Sequence, residues 1–560
     1  MAKKDYGNWS KIELVKRVTE LEKRKRYGLV WEDKLEEVAE SCKKKLPILK
    51  EEIKKEIKTD QKKPTNLLIE GDNYHALSVL NYTHKGKIDV IYIDPPYNTG
   101  AKDWKYNNDY VDSEDNFRHS KWLSFMEKRL KLAKNLLSKK GVLICTIDKN
   151  EQPTLGLLLQ EVFPNKEIVC VTIIHNPGGI QGLNFSHTNE YAYFIYPSKG
   201  TFISKVKRDY APQTAFRDWG KETSKRMAAK TCFYPVYIKS GKLVGFGEVC
   251  SEDFHPEKSN LIRKDGIIEV YPVDQKGIER KWRFSRKSVE EIKEELVCKK
   301  IKEEWAIFRE KKDYRWKTVW AENKYNANVY GTKLLNNIIQ GNFPYPKSLY
   351  AVEDCIKSAI HNKSNATILD FFAGSGTTGH AVLDLNEDGG KRKFILCTNN
   401  ENNNGSEGGI AEEICYPRIK KIIEGYVGIV DKKPYSGLGG NLKYFKTSFV
   451  EAEPTDKNKI KLTREATEML CLKEDTFDLV LEKERFKIFR NGDKYTGIIL
   501  DHRGIKEFKK AITSIKGEFN IYIFSIGDDT FDEEFEDLNQ KFKLSPIPEV
   551  ILRVYRRIFK

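Results

Sequence analysis

The turn Asp94-Pro95-Pro96-Tyr97 carries the residues whose types and spacing most clearly suggest chemistry. It follows the apolar run Ile88–Ile93, which predicts a buried strand. The Asp94 carboxylate and the Pro95 carbonyl are two hydrogen-bond acceptors on one turn. Together they could accept both hydrogens of an exocyclic amine such as that of adenine. The nitrogen would then become tetrahedral, and its lone pair could point at a methyl donor.

The remaining residues of this turn fit the same chemistry. Pro95 and Pro96 fix φ at about −65° and remove two N–H donors, so the turn presents its acceptors on a stiff frame. The Tyr97 ring could stack on a base taken out of its helix, as enzymes that act on bases within a duplex require. Transfer would be direct and in line, governed by proximity and orientation. An ordinary turn is the alternative, because Pro and Asp are common in turns.

A glycine-rich segment at residues 370–379 (DFFAGSGTTG) is the second candidate site. It follows a predicted strand and opens a predicted helix, where glycines allow close approach and free N–H groups face a ligand. Its G-x-G-x-x-G spacing is typical of dinucleotide binding. The spacing also matches a P-loop, but His380-Ala381 replaces the Lys-Ser/Thr that holds phosphate and magnesium. Glycines that serve only close helix–strand packing are the remaining alternative.

The identity of the cofactor depends on both motifs. NAD and S-adenosylmethionine each contain a ribose and an adenine, so a carboxylate after the second strand suits either. Glu401, just beyond Lys393–Thr398, is the candidate for the ribose hydroxyls, with Asn399 and Asn400 as alternatives. The turn at Asp94 favours S-adenosylmethionine and argues against a dehydrogenase.

Both motifs need strands that end beside them. Residues 66–70, 88–93 and 141–147 are short apolar runs, and 122–137 has helical spacing. The same alternation returns in the strands 366–371 and 393–398 and in a helix from about Thr377. Apolar strands separated by helices predict a parallel sheet covered on both faces. Open sheets of this kind bind ligands at the carboxyl ends of their strands.

Changes in composition divide the chain into five parts. A charged helical region comes first, then one half of the α/β core, a basic and aromatic insertion, the second half of the core, and a small α+β domain. Their predicted bounds are 1–63, 64–174, 175–340, 341–430 and 431–560. A capping box at Ser10 and Glu13 supports the first helix, and Asn491-Gly492 predicts a hairpin in the last part.

Overall composition narrows the class of protein. The formal charge of +16 favours a polyanionic partner such as nucleic acid. Ten scattered cysteines without a C-x-x-C pair suit reduced thiols and argue against a zinc ribbon, so no metal centre is expected. No run approaches the ~20 apolar residues of a membrane helix, and the start lacks a signal-peptide pattern. We therefore expect a cytoplasmic protein without a membrane partner.

Several segments resemble the amino-methyltransferases of DNA, most closely the modification subunits of type III restriction–modification systems. The motifs follow the order that is typical of the β class of these enzymes. An Asp-Pro-Pro-Tyr turn comes first, then a long insertion, and then Phe-x-Gly-x-Gly. The resembling segments are YGLVWEDK (27–34), IDPPYNTG (93–100), WLSFMEKRLKLA (122–133), DFFAGSGTTGHAV (370–382), FILCTNNE (394–401) and the closing residues 546–560.

The resemblance implies an α/β fold, a Rossmann-like methyltransferase sheet in circularly permuted motif order. Residues 366–371 would form its first strand, 393–398 the second, 66–70 the third and 88–93 the fourth. The insertion 175–340 would be a target-recognition domain, and residues 431–560 a small α+β C-terminal domain.

The resemblance also assigns residues to the cofactor. Asp72 would accept from the adenine amino group of S-adenosylmethionine, and residues 343–347 would lie on the cofactor side. Glu401 would hold the ribose hydroxyls, with Asn400 as the alternative. The methionine side and ribose would be lined by Asp370, Phe372, Gly374, Ser375, Gly376 and Thr377.

Two parts of the insertion are candidate DNA contacts. The basic and aromatic stretch 280–287 suits phosphates and unstacked bases, and a solvated amphipathic strand is its alternative. The loop 178–182, near His187, is expected to border the pocket. The residues of the stretch predicted to contact DNA are Arg280, Lys281, Trp282, Arg283 and Arg286.

The leading hypothesis is a site-specific methyltransferase that flips adenine out of duplex DNA and methylates its N6 from S-adenosylmethionine. The resemblance implies the modification and specificity subunit of a type III-like system, a homodimer, with a separate ATP-dependent restriction subunit. The alternatives are an orphan or phage-defence adenine methyltransferase, a cytosine-N4 methyltransferase and a catalytically idle DNA-binding module. Asp rather than Ser at position 94 favours adenine, and the intact motifs argue against an idle module.

Overall fold

The chain forms two units, Met1–Ser204 with Lys317–Lys560, and Lys205–Trp316. The computed structural model describes all residues except 1–8, 17–30, 61, 108, 209, 341–342, 361–362, 401–408, 528, 539–540 and 560, and the side chains of 101–103.

A long mixed sheet forms the centre of the first unit. Its strands run in the order β1-β10-β2-β9-β8-β3-β4-β6-β5-β7, and Ile57–Lys58 pairs with β10 beside this path. The strands are β1 (Lys45–Glu51), β2 (Thr65–Glu70), β3 (Ile88–Ile93), β4 (Leu137–Ile147), β5 (Lys166–Ile173), β6 (Glu190–Pro197), β7 (Val319–Trp320), β8 (Thr367–Asp370), β9 (Lys393–Thr398) and β10 (Asn441–Glu451).

The middle of this sheet has the strand order that the sequence predicts. From β10 through β2, β9, β8 and β3 to β4 every pairing is parallel. The predicted third, second, first and fourth strands therefore lie side by side in that order, which is the Rossmann-like arrangement. The order reverses between β8 and β3, so the sheet's topological switch point lies there. The strands β1, β5 and β6 pair antiparallel.

Helices cover the sheet because its central strands are buried and apolar on both faces. The first three helices pack against one another, and the next three form a second group. Their bounds are α1 (Asn73–Thr83), α2 (Arg118–Leu136), α3 (Gln152–Val162), α4 (Leu349–Ala359), α5 (Thr377–Leu385) and α6 (Tyr416–Glu424). None of the helices in the described part of the chain is long and apolar enough to span a membrane.

The C-terminal part is α+β, as predicted, but it begins later than residue 431. Strand β10 belongs to the central sheet, so the predicted boundary falls before a core element. Residues beyond it form a five-stranded sheet with a hairpin turn at Gly492 (φ +59°). The elements are α7 (Asp456–Glu465), α8 (Thr467–Glu474), β11 (Asp478–Glu482), β12 (Phe486–Asn491), β13 (Lys494–Ile499), α9 (Ile505–Ile512), β14 (Glu518–Phe524), β15 (Phe542–Ile547) and α10 (Glu549–Ile558).

The second unit is smaller than the predicted insertion 175–340. Residues 175–204 and 317–340 lie in the first unit, where β6 and β7 pair into the central sheet. The unit has its own apolar core around Phe216, Tyr234 and Trp282. Its strands are Lys205–Lys207, Gln213–Ala215, Val236–Lys239, Lys242–Phe246, Asn260–Ile262, Ile268–Val270, Leu296–Ile301, Glu304–Glu310 and Asp313–Arg315, with a short helix at Arg286–Val289.

The N-terminal region departs from the prediction of an all-helical segment. The predicted capping box is present, since Ser10 N donates to Glu13 Oε2 at 2.9 Å and Glu13 N to Ser10 Oγ at 3.3 Å. Residues 45–51, however, form a strand and not a helix. The apolar residues 46–49 are buried in β1, which pairs with β10, while lysines lie at both ends of the strand. The sequence did not predict this short strand, because its apolar residues are few and are surrounded by lysines.

Close helix packing explains one glycine of the glycine motif. A Cβ built on Gly379 in α5 would lie 2.6 Å from Ile419 Cδ1 of α6 and 3.0 Å from Leu396 Cδ1 of β9. At the first distance the Ile419 side chain would have to shift. Gly379 therefore allows the close contact between α5 and α6.

We predict that Gly379→Ala lowers the free energy of unfolding by about 1–3 kcal/mol, because the added methyl overpacks this contact. Ile419→Val removes the Cδ1 atom that the methyl would strike and alone costs about 0.5–1.5 kcal/mol. The double variant should lose clearly less than the sum of the two. Urea denaturation of the three variants measures this, and strictly additive losses would contradict the packing explanation.

Candidate active site

The motifs predicted to act together meet at one edge of the central sheet. Asp94 follows β3, and Asp370 ends the neighbouring strand β8. Asp72 follows β2 and Asn400 follows β9, at the carboxyl ends of the next parallel strands. Glu190 begins β6, which runs antiparallel, so its start reaches the same edge. The switch point between β8 and β3 thus collects polar residues from five strands.

The Asp94 carboxylate is held through one oxygen. Its Oδ1 accepts from the Tyr97 hydroxyl at 2.9 Å and from the Thr146 hydroxyl at 2.6 Å. Lys347 Nζ lies 3.3 Å from the same oxygen. None of the hydrogen bonds between described residues uses Oδ2. With 26% of the side chain exposed, Asp94 has one oxygen fixed by three donors and a second oxygen available as an acceptor.

The two proline carbonyls of the turn are used differently. Trp122 Nε1 donates to the Pro96 carbonyl at 2.7 Å, which fixes the turn to α2. No described residue donates a hydrogen bond to the Pro95 carbonyl. The Pro95 carbonyl is therefore available to accept a hydrogen bond from the substrate amine, as we predict from the sequence.

Asn98 closes the turn with a left-handed backbone conformation (φ +55°) and a fully buried side chain. Its Nδ2 donates to Glu151 Oε1 at 2.5 Å, and its Oδ1 accepts from Trp104 Nε1 at 3.0 Å. Asn is one of the few residues that adopt this conformation readily. The turn is thus anchored on both sides, at Trp122 and at Asn98.

Lys347 and Glu190 form a buried ion pair behind the Asp94 carboxylate. Lys347 Nζ contacts Glu190 Oε2 as well as Asp94. Burial would lower the pKa of Lys347, but the carboxylates of Asp94 and Glu190 outweigh it and the pKa is raised. Burial would raise the pKa of Glu190, but the Lys347 ammonium and His175 outweigh it and the pKa is lowered. Both groups therefore stay charged, and the site holds two acids against one base.

Tyr97 takes part in the same network. Its hydroxyl lies 3.1 Å from Glu190 Oε2, and the Lys347 ammonium lies 4.6 Å from its ring centroid. Burial and then the nearby Asp94 and Glu190 carboxylates raise the pKa of this phenol well above its usual value. The hydroxyl therefore stays protonated and donates. The Lys347 ammonium contacts this hydroxyl at the edge of the ring, so it does not cover a ring face on which a base could stack.

The glycine loop forms a cradle between β8 and α5. Gly374 and Gly376 have φ of +48° and +78°, conformations that other residues rarely adopt. A Cβ on Gly374 would lie 3.1 Å from Phe343 Cζ, so the Phe343 ring covers the loop. The Phe372 ring is half-buried and packs on Phe125 with centroids 5.8 Å apart. Gly374 is half-buried beside the aromatic rings, which fits a nucleoside cofactor, whereas Gly376 is buried against Cys415 and Ile419.

The hydroxyls of Ser375 and Thr377 point into the protein. Arg418, fully buried in α6, donates to Thr377 Oγ1 at 2.8 Å and to Ser375 Oγ at 3.1 Å. Burial lowers the pKa of this guanidinium to about 10. Both hydroxyls thus hold the loop to Arg418, so the backbone N–H groups are what these residues can offer a ligand.

Asp370 uses both of its carboxylate oxygens within the loop. Oδ1 accepts from Phe372 N at 2.9 Å and Oδ2 from the Thr378 hydroxyl at 2.5 Å. Only 2% of the residue is exposed, and burial raises its pKa to about 7. The geometry makes Asp370 a support for the glycine loop.

Asp72 caps α1 and is paired with a buried arginine. Its Oδ1 accepts from Tyr74 N at 2.7 Å and lies 3.4 Å from Arg129 Nη2. Arg129, buried on α2, also pairs with Glu36 at 2.7 Å and lies over the Phe125 ring at 3.6 Å. The hydrogen bonds that described residues make to Asp72 all fall on Oδ1, so Oδ2 is available to a cofactor amine.

The ribose position is described only in part. Asn400 Oδ1 accepts from Glu412 N at 3.2 Å, so its side chain is bonded to the backbone of the segment that leads into α6. Glu401, the first candidate for the ribose hydroxyls, lies outside the described residues. The choice between the two therefore stays a prediction.

Sequence reasoning missed the roles of several site residues. Lys347 lies in the segment predicted to face the cofactor, but its pairing with Asp94 was not foreseen. Glu190, Thr146 and Arg129 were not singled out at all. Burial of a charged residue gives no local sequence signal. The one available hint was Glu190 standing directly before the apolar run of β6.

The basic stretch of the second unit is mostly part of that unit's own structure. Trp282 is 2% exposed and stacks on Phe216 with centroids 5.2 Å apart, so it cannot stack on DNA bases as predicted. The charges of three neighbours are also used internally; the pairs are Arg280 with Asp274, Lys281 with Asp218, and Arg286 with Glu290. Of the five predicted residues, Arg283 is the one with an exposed side chain. Basic and aromatic residues alternate here because the segment is extended. Its aromatic side chains enter the core of the unit, and its basic side chains form ion pairs.

The permuted Rossmann-like sheet carries an Asp-Pro-Pro-Tyr turn and a glycine loop at its switch point, where open sheets of this kind bind ligands. The family model of DNA methylases matches residues 88–435 of the chain. This range spans both motifs and the segment between them, and the chain belongs to that family.

Individual relatives agree with this assignment. The chain is 33% identical over 352 residues to the type II methyltransferase M.KpnI of Klebsiella pneumoniae, covering 59% of this chain and 79% of that one. It is 30% identical over 392 residues to the EcoPI Mod subunit, a type III restriction–modification enzyme of Escherichia phage P1, covering 61% and 58%. The StyLTI Mod subunit of Salmonella typhimurium is 29% identical over 380 residues, covering 60% and 53%. The chain thus spans little more than half of these Mod subunits.

A solved structure similar to part of the chain is the M1.HpyAVI–SAM complex. It is 12% identical and covers 63% of this chain and 98% of that one, with a TM-score of 0.29. At so low a score, the fold assignment rests on the strand order described above.

We predict that Lys347→Met destabilises the protein by about 3–5 kcal/mol, because Glu190 would be left buried without a counter-charge. Adding Glu190→Gln should recover most of this loss, since the amide carries no charge, whereas Glu190→Gln alone leaves Lys347 with Asp94. Chemical denaturation of the two single variants and the double variant tests the pairing. A double variant less stable than Lys347→Met would contradict it.

A second prediction concerns pH. Because the pKa of Asp370 is about 7 in the folded protein and about 3.9 when unfolded, folding favours the protonated acid. Stability should therefore fall as pH rises from about 4 to 7, and Asp384, whose pKa burial also raises to about 7, adds to this trend. Asp370→Asn should remove about 2–3 kcal/mol of the loss between pH 5 and 8. Denaturation curves at both pH values test this, and parallel pH dependences of wild type and variant would contradict it.

Proposed function

We propose that the protein transfers a methyl group to the N6 atom of adenine in duplex DNA. The observation that carries the proposal is the acceptor pair at the turn. Among the residues that the structure describes, none donates a hydrogen bond to Asp94 Oδ2 or to the Pro95 carbonyl, while Oδ1 is fixed by three donors. Two acceptors on a rigid frame match the two hydrogens of an exocyclic amine.

S-adenosylmethionine is the cofactor that the glycine loop and its neighbours fit, and when bound it supplies the methyl group. The adenine amino group would be accepted by Asp72 Oδ2, beside the cap of α1. The loop backbone at Gly374 and Gly376, under the Phe343 ring, would hold the remainder of the molecule. Asp370 and Arg418 act by holding the loop, and Glu401 or Asn400 would take the ribose hydroxyls.

The residues around the turn would act on the target base. Asp94 and Pro95 accept the two amine hydrogens, which orients the nitrogen lone pair. Tyr97 offers a ring face for stacking on the flipped base, while Lys347 contacts its hydroxyl. The Lys347 ammonium, fixed by Glu190, offsets negative charge on Asp94 through Oδ1 without occupying the oxygen that faces the substrate. The base must leave the duplex for this contact, because its N6 atom is otherwise paired.

We further propose that the protein is the modification and specificity subunit of a type III-like restriction–modification system. The support is the identity to the EcoPI and StyLTI Mod subunits and the second unit, which lies in the chain where a target-recognition domain is expected. Such a subunit would act as a homodimer and with an ATP-dependent restriction subunit. We propose that Arg283, an exposed cation of the basic stretch, contacts DNA phosphate.

Sequencing of genomic DNA with detection of modified bases tests the proposal. A host that lacks adenine methylation would express the wild type, and N6-methyladenine in one strand of a defined site is the expected result. N4-methylcytosine would instead indicate the alternative amine, and an absence of modified bases would refute the proposed activity.

We predict that Asp94→Ala lowers the transfer rate at least ~100-fold, as removal of one oriented catalytic group does, while S-adenosylmethionine still binds. The cofactor contacts proposed here do not include Asp94. Single-turnover methylation of the identified site measures the rate, and calorimetric titration measures binding. Asp493→Ala, which removes an exposed carboxylate of the C-terminal sheet, is the matched control. Near-normal turnover of Asp94→Ala would show that the turn acts differently.

A further inference from the structure

A small hairpin projects from the active-site edge of the sheet between β5 and β6. Its two strands are Ile180–Gln181 and Ser186–His187, paired antiparallel. The turn between them is tight, since Gly182 N donates to Phe185 O at 3.2 Å. Four residues, Gly-Leu-Asn-Phe, thus form the tip.

The tip carries large apolar side chains in full contact with solvent. Leu183 is completely exposed, and Phe185 is 79% exposed. Ile180, on the strand below, is 58% exposed. Single exposed apolar residues are common on surfaces, but an adjacent pair on the end of a projecting hairpin is a feature that needs a partner.

The second arm of the hairpin, Ser186–His187, connects it to the candidate active site. The chain that leaves it reaches Glu190, whose carboxylate contacts Tyr97 and Lys347, five residues after Phe185. At ~3.3 Å per residue, the tip lies within about 16 Å of the site along the chain. His187 Nε2 hydrogen-bonds to Lys149, which follows β4 at the same edge. A duplex whose base enters the site therefore lies within reach of the tip.

We propose that the tip, Leu183 with Phe185, enters the duplex and fills the gap that the flipped base leaves. This proposal rests on the proposed function. Taking a base out of the stack costs stacking and pairing energy, and an apolar side chain inserted between base steps offsets part of that cost. The tip has the chemistry for this role, because its apolar side chains need no hydrogen bonds in the base stack.

Duplex DNA fits the tip better than a second protein chain does. A stable protein interface buries about 800 Å² on each partner, and an aromatic side chain such as Phe185 supplies at most about 250 Å². The surroundings are also basic, because Lys149 lies beside the hairpin and the chain carries a charge of +16. Phosphates on both sides of a base step suit such surroundings.

The test compares two unmethylated duplexes that carry the target site of the enzyme. One is fully paired, and the other has an abasic position opposite the target adenine, so that its base is already unpaired. The double variant Leu183→Ala/Phe185→Ala should be about 10- to 100-fold slower than wild type in single turnover on the paired duplex. On the abasic duplex it should come within about threefold of wild type, because the wedge is no longer needed.

Two control variants separate the wedge from other effects. Leu183→Met/Phe185→Leu keeps the apolar tip and should retain the wild-type rate on both duplexes. Val430→Ala removes an exposed apolar side chain elsewhere, 71% exposed, and should change neither rate. Because Leu183 and Phe185 are solvated, their truncation should leave the melting temperature unchanged, and a drop in that temperature would count against the proposal.

The outcomes distinguish the possible failures. Equal rates for wild type and the alanine variant on the paired duplex would overturn the wedge, and so would an equal loss on both duplexes. A change in oligomeric state on sedimentation would assign the tip to a second copy of the chain instead. If the wild type itself methylates no DNA, the proposed function fails and the wedge fails with it, which the wild-type measurement alone reveals.

Discussion

The parallel pairing of β8 with β3 is the constraint on which the candidate site depends. These strands are separated in the chain by the whole second unit, yet Ile368 pairs with Val90 and Leu369 with Ile91. Parallel strands in register end at the same edge, so the pairing brings Asp370 and its glycine loop beside the turn at Asp94. A shift of the register by one residue would turn each side chain to the opposite face and separate the two motifs.

Charge at the edge is arranged so that the reactive carboxylate stays both fixed and accessible. Lys347 stands between a buried acid, Glu190, and a half-exposed one, Asp94. The buried partner keeps the ammonium in place, because moving it away would leave Glu190 without a counter-charge in a poorly solvated position. Asp94 therefore gains a cation at Oδ1 and retains Oδ2 toward the open side. The adjacent hairpin then offers apolar surface where a distorted duplex would need it.

Much of the fold was predictable because its signals are local. The central strands are short apolar runs rich in β-branched residues, and the glycine and proline motifs mark where two of them end. The bounds of β3 and β9 agree with the predicted strands. The order of the strands, which the family resemblance implied, is also the observed one. The strand β1 escaped notice because its buried quartet of residues lies among lysines. The second unit is shorter than predicted, since composition does not distinguish β6 and β7 from the insertion between them.

The candidate site was predictable in part, for a related reason. Backbone geometry leaves traces in the sequence, and so the turn at Asp94 and the glycines of the cofactor loop could be found. Long-range charge pairing leaves none, and Lys347, Glu190 and Arg418 became visible only in three dimensions. Trp282 shows the converse, because a basic and aromatic pattern that suggests DNA contact is equally compatible with an apolar core bordered by ion pairs.

We propose that Asp94 and Pro95 receive the amine of an extrahelical adenine. The decisive measurement is a crystal structure of the protein with the demethylated cofactor and duplex DNA that carries the unmethylated target site. The adenine N6 should lie within hydrogen-bond distance of both Asp94 Oδ2 and the Pro95 carbonyl, with the base against the Tyr97 ring. A target adenine still paired in the duplex, or bound away from this turn, would contradict it.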